Sequence, residues 1–555
     1  MAANIAHFLA QHLGTPDRVL YRHFEGDAWR DVTVAELVAQ VVRWQAAFRR
    51  EGFAVGERIA LCARNGIAWV AMDQAALSLG MVVVPLYVDD NADNIAWCVA
   101  NAEARLLVVE TSRIAASLTR LGATYALPKI VVLKPEGDEP NATAERFLPA
   151  ADGPFEVREV PPSTLATICF TSGTSGRPKG VMLSHRNIVA NVTQCADTRM
   201  ARSDDLFLSM LPLSHMFERT GGYYLPLSIG AKVVYARGVA QIAEDLASQA
   251  PTVIFAVPRI FERFQARIGQ TLATSPRKKA LFDACVARGF RVATRGATLL
   301  DRALVPLLRA LVARPILKRL GGRLRLAVVG GAALDPALAQ TFIGLGLPLL
   351  QGYGMTEASP VISVNREDDN VPDSVGPPLP GVDVRLSDSR ELLARGDNIM
   401  LGYWRNEEAT RAALDTDGWL HTGDLAEIRD GKICIRGRAK DILVMSNGEK
   451  LPPQDAEFAI LHDPLFEQVM LVGEGRPFPV LLAVSQESDE KVLLRRANEQ
   501  LKEFPRWVRV RRVVATREAW SVDNGLLTPT LKLKRPLVLQ RFKDQIDAAY
   551  TSPTD

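Results

Sequence analysis

The chain reads as an α/β protein. It has a large amino-terminal domain of doubly wound α/β subdomains with a small β-barrel-like subdomain, followed by a small α+β domain at the carboxyl terminus. Three observations predict this. From about Leu37 onward, β-branched runs alternate with segments of helical periodicity, the alternation that builds parallel sheets covered by helices. After Gly381 the pattern shortens to strand and turn, as in "VDVRLSDS" and "KICIRG". Beyond Asp441 a short mixed unit follows, in which "QVMLVGEGRPFPVLLAV" reads as a strand hairpin. At 555 residues the chain is too long for one core.

Taken in order, "GERIALCARN" and "GMVVVPLYV" read as buried strands around the helical "GIAWVAMDQAALSLG". The same grammar returns in "RLLVVETS", "KIVVLK", "TVIFAVPRIFERF" and "RLRLAVVGGAALDPALAQTFIGLG". Ligands of such sheets sit beyond the carboxyl ends of strands, so the loops after these runs are the places to search. Hydrophobic content of 48% with 23% charged residues excludes disorder. No uncharged apolar run reaches the ~18 residues expected of a membrane span. The start "MAANIAHFLAQHLG" lacks the features of a secretory signal, so the expected location is cytoplasmic. Six cysteines without close pairing suit reduced core thiols rather than disulfides or zinc.

The most pointed stretch is "TSGTSGRPKG" (171–180), which follows the apolar run 165–170. Its glycines let backbone N–H groups converge, and its hydroxyls with Arg177 and Lys179 add donors, so a polyphosphate is the guest that fits. A Walker loop is excluded: that motif needs Gly-Lys-Ser/Thr opening a helix, whereas Lys179 lies between Pro178 and Gly180. A solvated polar loop is the other reading that composition allows.

Further stretches stand at strand ends or turns: "LPLSHMFER" (211–219), "QGYGMTE" (351–357), "GWLHTGDLAEI" (418–428), "GRAKDILVMSNGEKLPP" (437–453) and, near the carboxyl terminus, "LLTPTLKLKR" (526–535). With 171–180, these six in this order resemble the adenylate-forming family of acyl-CoA synthetases, luciferases and peptide-synthetase adenylation domains. The resemblance covers about residues 30 to 540. Within that family "LPLSHMFER", "VVGGAAL", "VGPPLPGVDVRL" and the long insert after "VPRIFERF" look most like long-chain fatty acyl-CoA synthetases. The resemblance implies that a fatty acid and ATP give an acyl-adenylate and pyrophosphate, after which the thiol of coenzyme A displaces AMP.

By the same resemblance, Thr171, Ser172, Gly173, Thr174 and Lys179 wrap the β- and γ-phosphates. Glu357, with Thr171, holds a magnesium ion (Mg2+). Tyr353 offers a face to adenine beside Gly354 and Thr356, and Gly331 and Ala332 let the base approach backbone. Asp424 clamps the ribose, with Arg438 as a second ribose or phosphate contact. His215 lies near the reacting carboxylate, in a polar or steric role or simply packed. Lys532 matches the catalytic lysine; Leu531 stands where the family's pattern has glycine, and Lys534 is the alternative. Lys440 matches the family's hinge, so the resemblance implies a large domain over 1–438, a hinge over 439–441 and a small, mobile domain over 442–555.

The insert 262–325 carries fifteen Lys/Arg against three Asp/Glu. Such a run fits contact with an anionic membrane surface at its inner face, simple solvation of a helical face, or attraction of the CoA phosphates. No motif suggests nucleic acid. Rival functions are an acyl-AMP ligase serving a carrier-protein thiol, an aryl-acid CoA ligase, and a non-catalytic nucleotide- or lipid-binding relative. Intact Lys179, Glu357, Asp424 and Lys532 weigh against the last.

Overall fold

The computed structural model describes residues 4–137, 139–150, 153–171, 177–273, 275–294, 296–521, 524–528 and 533–551. Two eight-stranded sheets dominate the large domain. The first runs in the order Gly402–Tyr403, Lys179–Ser184, Leu165–Thr171, Val82–Pro85, Arg58–Cys62, Leu106–Thr111, Lys129–Lys134 and Ala142–Thr143. The second runs Val361–Val364, Leu349–Gly354, Leu326–Val329, Val253–Ala256, Leu206–Ser209, Lys232–Tyr235, Val19–Glu25 and Ala28–Thr33. Interior strands are parallel and the antiparallel pairs lie towards the edges. Helices joining parallel strands must cross over a face, so both sheets are covered and their strands are continuous apolar runs.

The helix Ile67–Ser78 lies between the sheets, and all its residues except Ala68 are buried. A helix that is apolar on every side has no solvent face and belongs in a core. Its one acid, Asp73, is wholly buried and pairs with Arg219, also wholly buried, from the short π-helical turn Arg219–Tyr224. Tyr223 and Tyr224 donate their hydroxyls to the same carboxylate at 3.1 and 2.9 Å. Arg219 also donates to the Thr167 hydroxyl at 2.9 Å, which in turn donates to the Val83 carbonyl at 2.6 Å. One guanidinium thus ties the central helix, the strand Leu165–Thr171 and the segment that follows His215.

The small β unit after Gly381 is a four-stranded antiparallel sheet, Asp383–Leu386, Glu391–Arg395, Leu420–Arg429 and Lys432–Arg438. The carboxyl-terminal unit has its own three-stranded sheet. Gln468–Val472 and Val480–Val484 form the expected hairpin, and Arg512–Thr516 is added in parallel. The basic insert folds as the helices Pro258–Ala273, Pro276–Ala293, Leu299–Leu308 and Arg314–Lys318. The second of these crosses Pro336–Leu345 at backbone contact: a Cβ on Gly289 would lie 1.9 Å from the Gly344 carbonyl oxygen. All six cysteines are free thiols, five of them buried. No helix among the described residues is long and apolar enough to cross a membrane.

Truncating one member of a buried ion pair strands the other, at a cost of about 3–5 kcal/mol. The substitution Arg219→Leu should therefore lower the stability of the large domain by that amount in chemical denaturation. A loss below about 1 kcal/mol would show that the pair does not hold the sheets together.

Candidate active site

A cavity of about 1020 Å³ opens where strands of both sheets end. Thr171 closes the strand Leu165–Thr171 and pairs in register with Lys179 across the hairpin, and its hydroxyl faces the Lys179 carbonyl at 3.4 Å. The base of the loop is therefore fixed. Ser172, Gly173 and Thr174 lie outside the described residues. Arg177 differs from expectation: it pairs with Asp93 at 2.7 Å and donates to the Tyr125 hydroxyl at 3.2 Å, and it does not line the cavity. An acid in the first turn of the helix Ala92–Asn101 is a natural anchor for a passing guanidinium.

Thr171, Lys179, His215, Gly331, Ala332, Tyr353, Gly354, Thr356, Glu357, Asp424, Arg438 and Lys440 all line this one cavity. Glu357 follows the strand Leu349–Gly354 in a 3-10 turn and is nearly buried, and its Oε1 accepts the Tyr403 hydroxyl at 2.7 Å. The Lys179 ammonium stands 5.1 Å from the centroid of the same tyrosine ring. Burial and the Glu357 charge both push the Tyr403 phenol upward, so it stays a donor. No group of three or more His, Cys, Asp or Glu side chains among the described residues could hold a metal. A cation at Glu357 would need further oxygens from a ligand, which is how magnesium is held in phosphate-binding sites.

Asp424 and Arg438 face each other in register across the strands Leu420–Arg429 and Lys432–Arg438, with Arg438 Nε 3.3 Å from the carboxylate. The Tyr353 hydroxyl donates to the other carboxylate oxygen at 2.6 Å. The turn that delivers Asp424 is fixed by Glu391, which accepts from the Gly423 amide at 2.8 Å and meets His421 Nδ1 at 3.0 Å. Gly423 has φ +72°, a conformation that suits glycine. His215 caps the short helix Met216–Glu218, its Nδ1 accepting from the Phe217 amide at 3.2 Å. Beyond it the cavity becomes apolar, walled by Met200, Leu225, Val253, Phe255, Leu326 and Val328. Gly221 permits this: a Cβ there would sit 2.5 Å from the Phe255 ring.

The carboxyl-terminal unit roofs the cavity with Glu457, Phe458 and Leu461 of the helix Pro453–Leu461 and with Thr528, Leu533 and Arg535. Lys532 lies outside the described residues. Arg535 donates to both oxygens of Glu457, at 2.9 and 3.2 Å from one nitrogen. Burial pushes the Glu457 carboxyl up to about 7, against the pull of Arg535. His462, at the end of the same helix, meets Asp335 of the large domain at 2.6 Å. Lys440 stands in the 3-10 turn Ala439–Asp441, where burial and then Arg438 lower its pKa. Tyr403, Glu391, His421, Glu457 and Arg535 had not been singled out. His421 and Arg535 stand inside the quoted stretches, whereas Glu391 and Glu457 carry no local signal.

The sequence pattern of the AMP-binding enzyme family matches residues 8–404, and that of the AMP-binding enzyme C-terminal domain matches 440–554. A long-chain-fatty-acid–CoA ligase, FadD15 of Mycobacterium bovis, is 30% identical over 99% of this chain and 97% of its own. Long-chain-fatty-acid–CoA ligase 1 of Homo sapiens is 31% identical over 91% and 80%. ATP-bound MatB of Rhodopseudomonas palustris shares the fold, with a TM-score of 0.76 at 23% identity over 98% of this chain and 100% of that one. With both domain patterns matched along nearly its whole length, the chain belongs to the AMP-binding enzyme family.

Proposed function

We propose that the chain is a long-chain fatty acid:CoA ligase that consumes ATP and releases AMP and pyrophosphate. The observation that carries the reading is the continuity of one cavity, from the polar mouth at Thr171, Lys179, Glu357 and Asp424 to the apolar branch at Val253, Phe255 and Leu326. An acid with a long hydrocarbon tail fits both ends. The curated relatives at 30–31% identity are fatty-acid–CoA ligases, which favours CoA over a carrier protein as acceptor.

In the first step a carboxylate oxygen attacks the α-phosphorus and the bond to pyrophosphate breaks. Two anions must meet, so positioning and cationic charge are the levers available. Lys179 and the donors of the 171–180 loop hold the leaving phosphates, and Asp424 with Arg438 fixes the nucleoside. Glu357 and Thr171 would hold magnesium, which would supply further charge neutralisation when bound. We assign the reacting oxygens to Lys532, by its match to the family's catalytic lysine. In the second step the CoA sulfur attacks the acyl carbonyl and the bond to AMP breaks. We further assign Lys440 to a hinge between 1–438 and 442–555, which lets the small domain withdraw Lys532 and admit the thiol.

The same reading sets the insert against an anionic membrane surface. Leu300, Leu307 and Leu311 are each about three-fifths exposed and share a helical stripe that continues to Arg314 and Lys318. Exposed leucines beside cations suit the boundary of headgroups and acyl chains.

Three outcomes are expected. Glu357→Gln keeps the shape and loses the charge, so ATP–pyrophosphate exchange should fall by roughly 10²–10³-fold; wild-type exchange would remove Glu357 from the site. Lys532→Ala should nearly abolish acyl-adenylate formation yet still convert supplied acyl-adenylate to thioester, and equal slowing of both half-reactions would refute a mobile lysine. Flotation with phosphatidylglycerol vesicles should weaken steeply as salt rises and the Debye length falls from ~10 Å at 0.1 M to ~3 Å at 1 M. Salt-independent flotation, or none, would rule out the charged surface.

A further inference from the structure

A second cavity, of about 390 Å³, lies between helices of the insert and the helices Ile242–Gln249 and Pro336–Leu345, apart from the site described above. Four helices line it, three of them with residues that share a face. Pro258–Ala273 contributes Phe264, Arg267 and Ile268, and Arg314–Lys318 with the turn after it contributes Ile316, Arg319 and Leu320. The two segments repeat one spacing, apolar, then arginine three residues on, then apolar at the fourth. Residues three and four apart stack on one side of a helix, so each segment presents an apolar wall with a guanidinium set into it. On the third helix, Ile242–Gln249, the small residues Ala243 and Ala247 leave the space open, and Phe342 forms part of the apolar lining.

The charges decide what this space suits. Arg267 and Arg319 are exposed and neither makes an ion pair among the described residues, whereas Arg288 and Arg291 of the same insert are matched to Asp301. No carboxylate lines the cavity. Its volume falls in the range of roughly 300–1,000 Å³ used for small ligands. An apolar slot with two unmatched guanidiniums complements a single hydrocarbon chain ending in a carboxylate, because arginine forks pair with carboxylates in a planar, two-bond geometry.

We infer that this groove is a second binding site for an unesterified long-chain carboxylic acid, separate from the acyl branch of the catalytic cavity. The inference takes the acid's class from the proposed activity, but binding here needs neither ATP nor CoA. The wall helix Arg314–Lys318 also continues the exposed leucine stripe. The groove would thus receive an acid leaving a lipid surface and hold it on the enzyme.

Equilibrium dialysis of radiolabelled dodecanoate against the full chain, without ATP or CoA, tests this. The wild-type chain should bind two equivalents. Both Ala247→Trp, which fills the groove, and the surface double variant Arg267→Gln with Arg319→Gln should bind one. In both variants pyrophosphate exchange at saturating dodecanoate should stay within about twofold of wild type. Glycerol 3-phosphate, a soluble mimic of a phospholipid headgroup, should displace none of the bound acid. One equivalent in the wild-type chain, two in both variants, or displacement by glycerol 3-phosphate would overturn the assignment. Pyrophosphate exchange in the wild-type preparation reports separately on the adenylation reading.

Discussion

Arg219, with no exposed surface, stands between Asp73 of the central helix and Thr167 of the strand that ends at Thr171. A guanidinium removed from water needs its charge matched, and here a carboxylate, a hydroxyl and the rings of Trp69 and Tyr224 surround it, while its Nε has no hydrogen-bond partner among the described residues. Burial alone would depress its pKa, but Asp73 and the neighbouring acids raise it, so it keeps its charge. The network rejects shifts of register between the sheets, because a displacement of an ångström or two would leave a buried ion unmatched. Residues at the ends of strands in two separate sheets can therefore form one site.

The division of labour in that site follows from the elements that supply it. Strand ends give Thr171 and Tyr353, which the sheets hold firmly. The small β sheet gives Asp424 and Arg438 as cross-strand partners. Helix and loop residues of the carboxyl-terminal unit give only the roof, joined to the large domain at His462 and Asp335. Under the proposed function, the fixed strand ends hold the nucleotide and the roof is the part that moves between two successive reactions on one substrate.

The architecture was legible because buried parallel strands leave continuous apolar runs such as Val82–Pro85, and because the helix Ile67–Ser78 is long enough and apolar enough to have no other reading. Cavity-lining positions were legible where polar residues cluster beside glycines at the ends of those runs. Partnerships were not. Arg177 seemed a phosphate ligand in the loop, yet its partner Asp93 lies 84 residues upstream. The expectation for Tyr353 concerned its face alone, and the bond from its hydroxyl to Asp424 carries no local signal. Glu457 and Arg535, 78 residues apart, meet only because two elements pack. Local pattern carries no trace of contacts made by folding, and such contacts decide which donors of a motif face a ligand.

Asp424 is held from two sides before any ligand arrives, by the Tyr353 hydroxyl and by Arg438. Under the proposed role of Asp424, the hydroxyls of a ligand do not meet a bare anion; they take over hydrogen bonds that are already satisfied. The free energy gained is the difference between two well-made sets, smaller than the sum of the new contacts. Such an exchange favours ligands that replace both partners at once, since a ligand with one hydroxyl where two are needed leaves a nearly buried carboxylate oxygen with less than it had. It also lets the departing ligand be replaced by the protein's own groups, so that discrimination can be sharp while release remains fast.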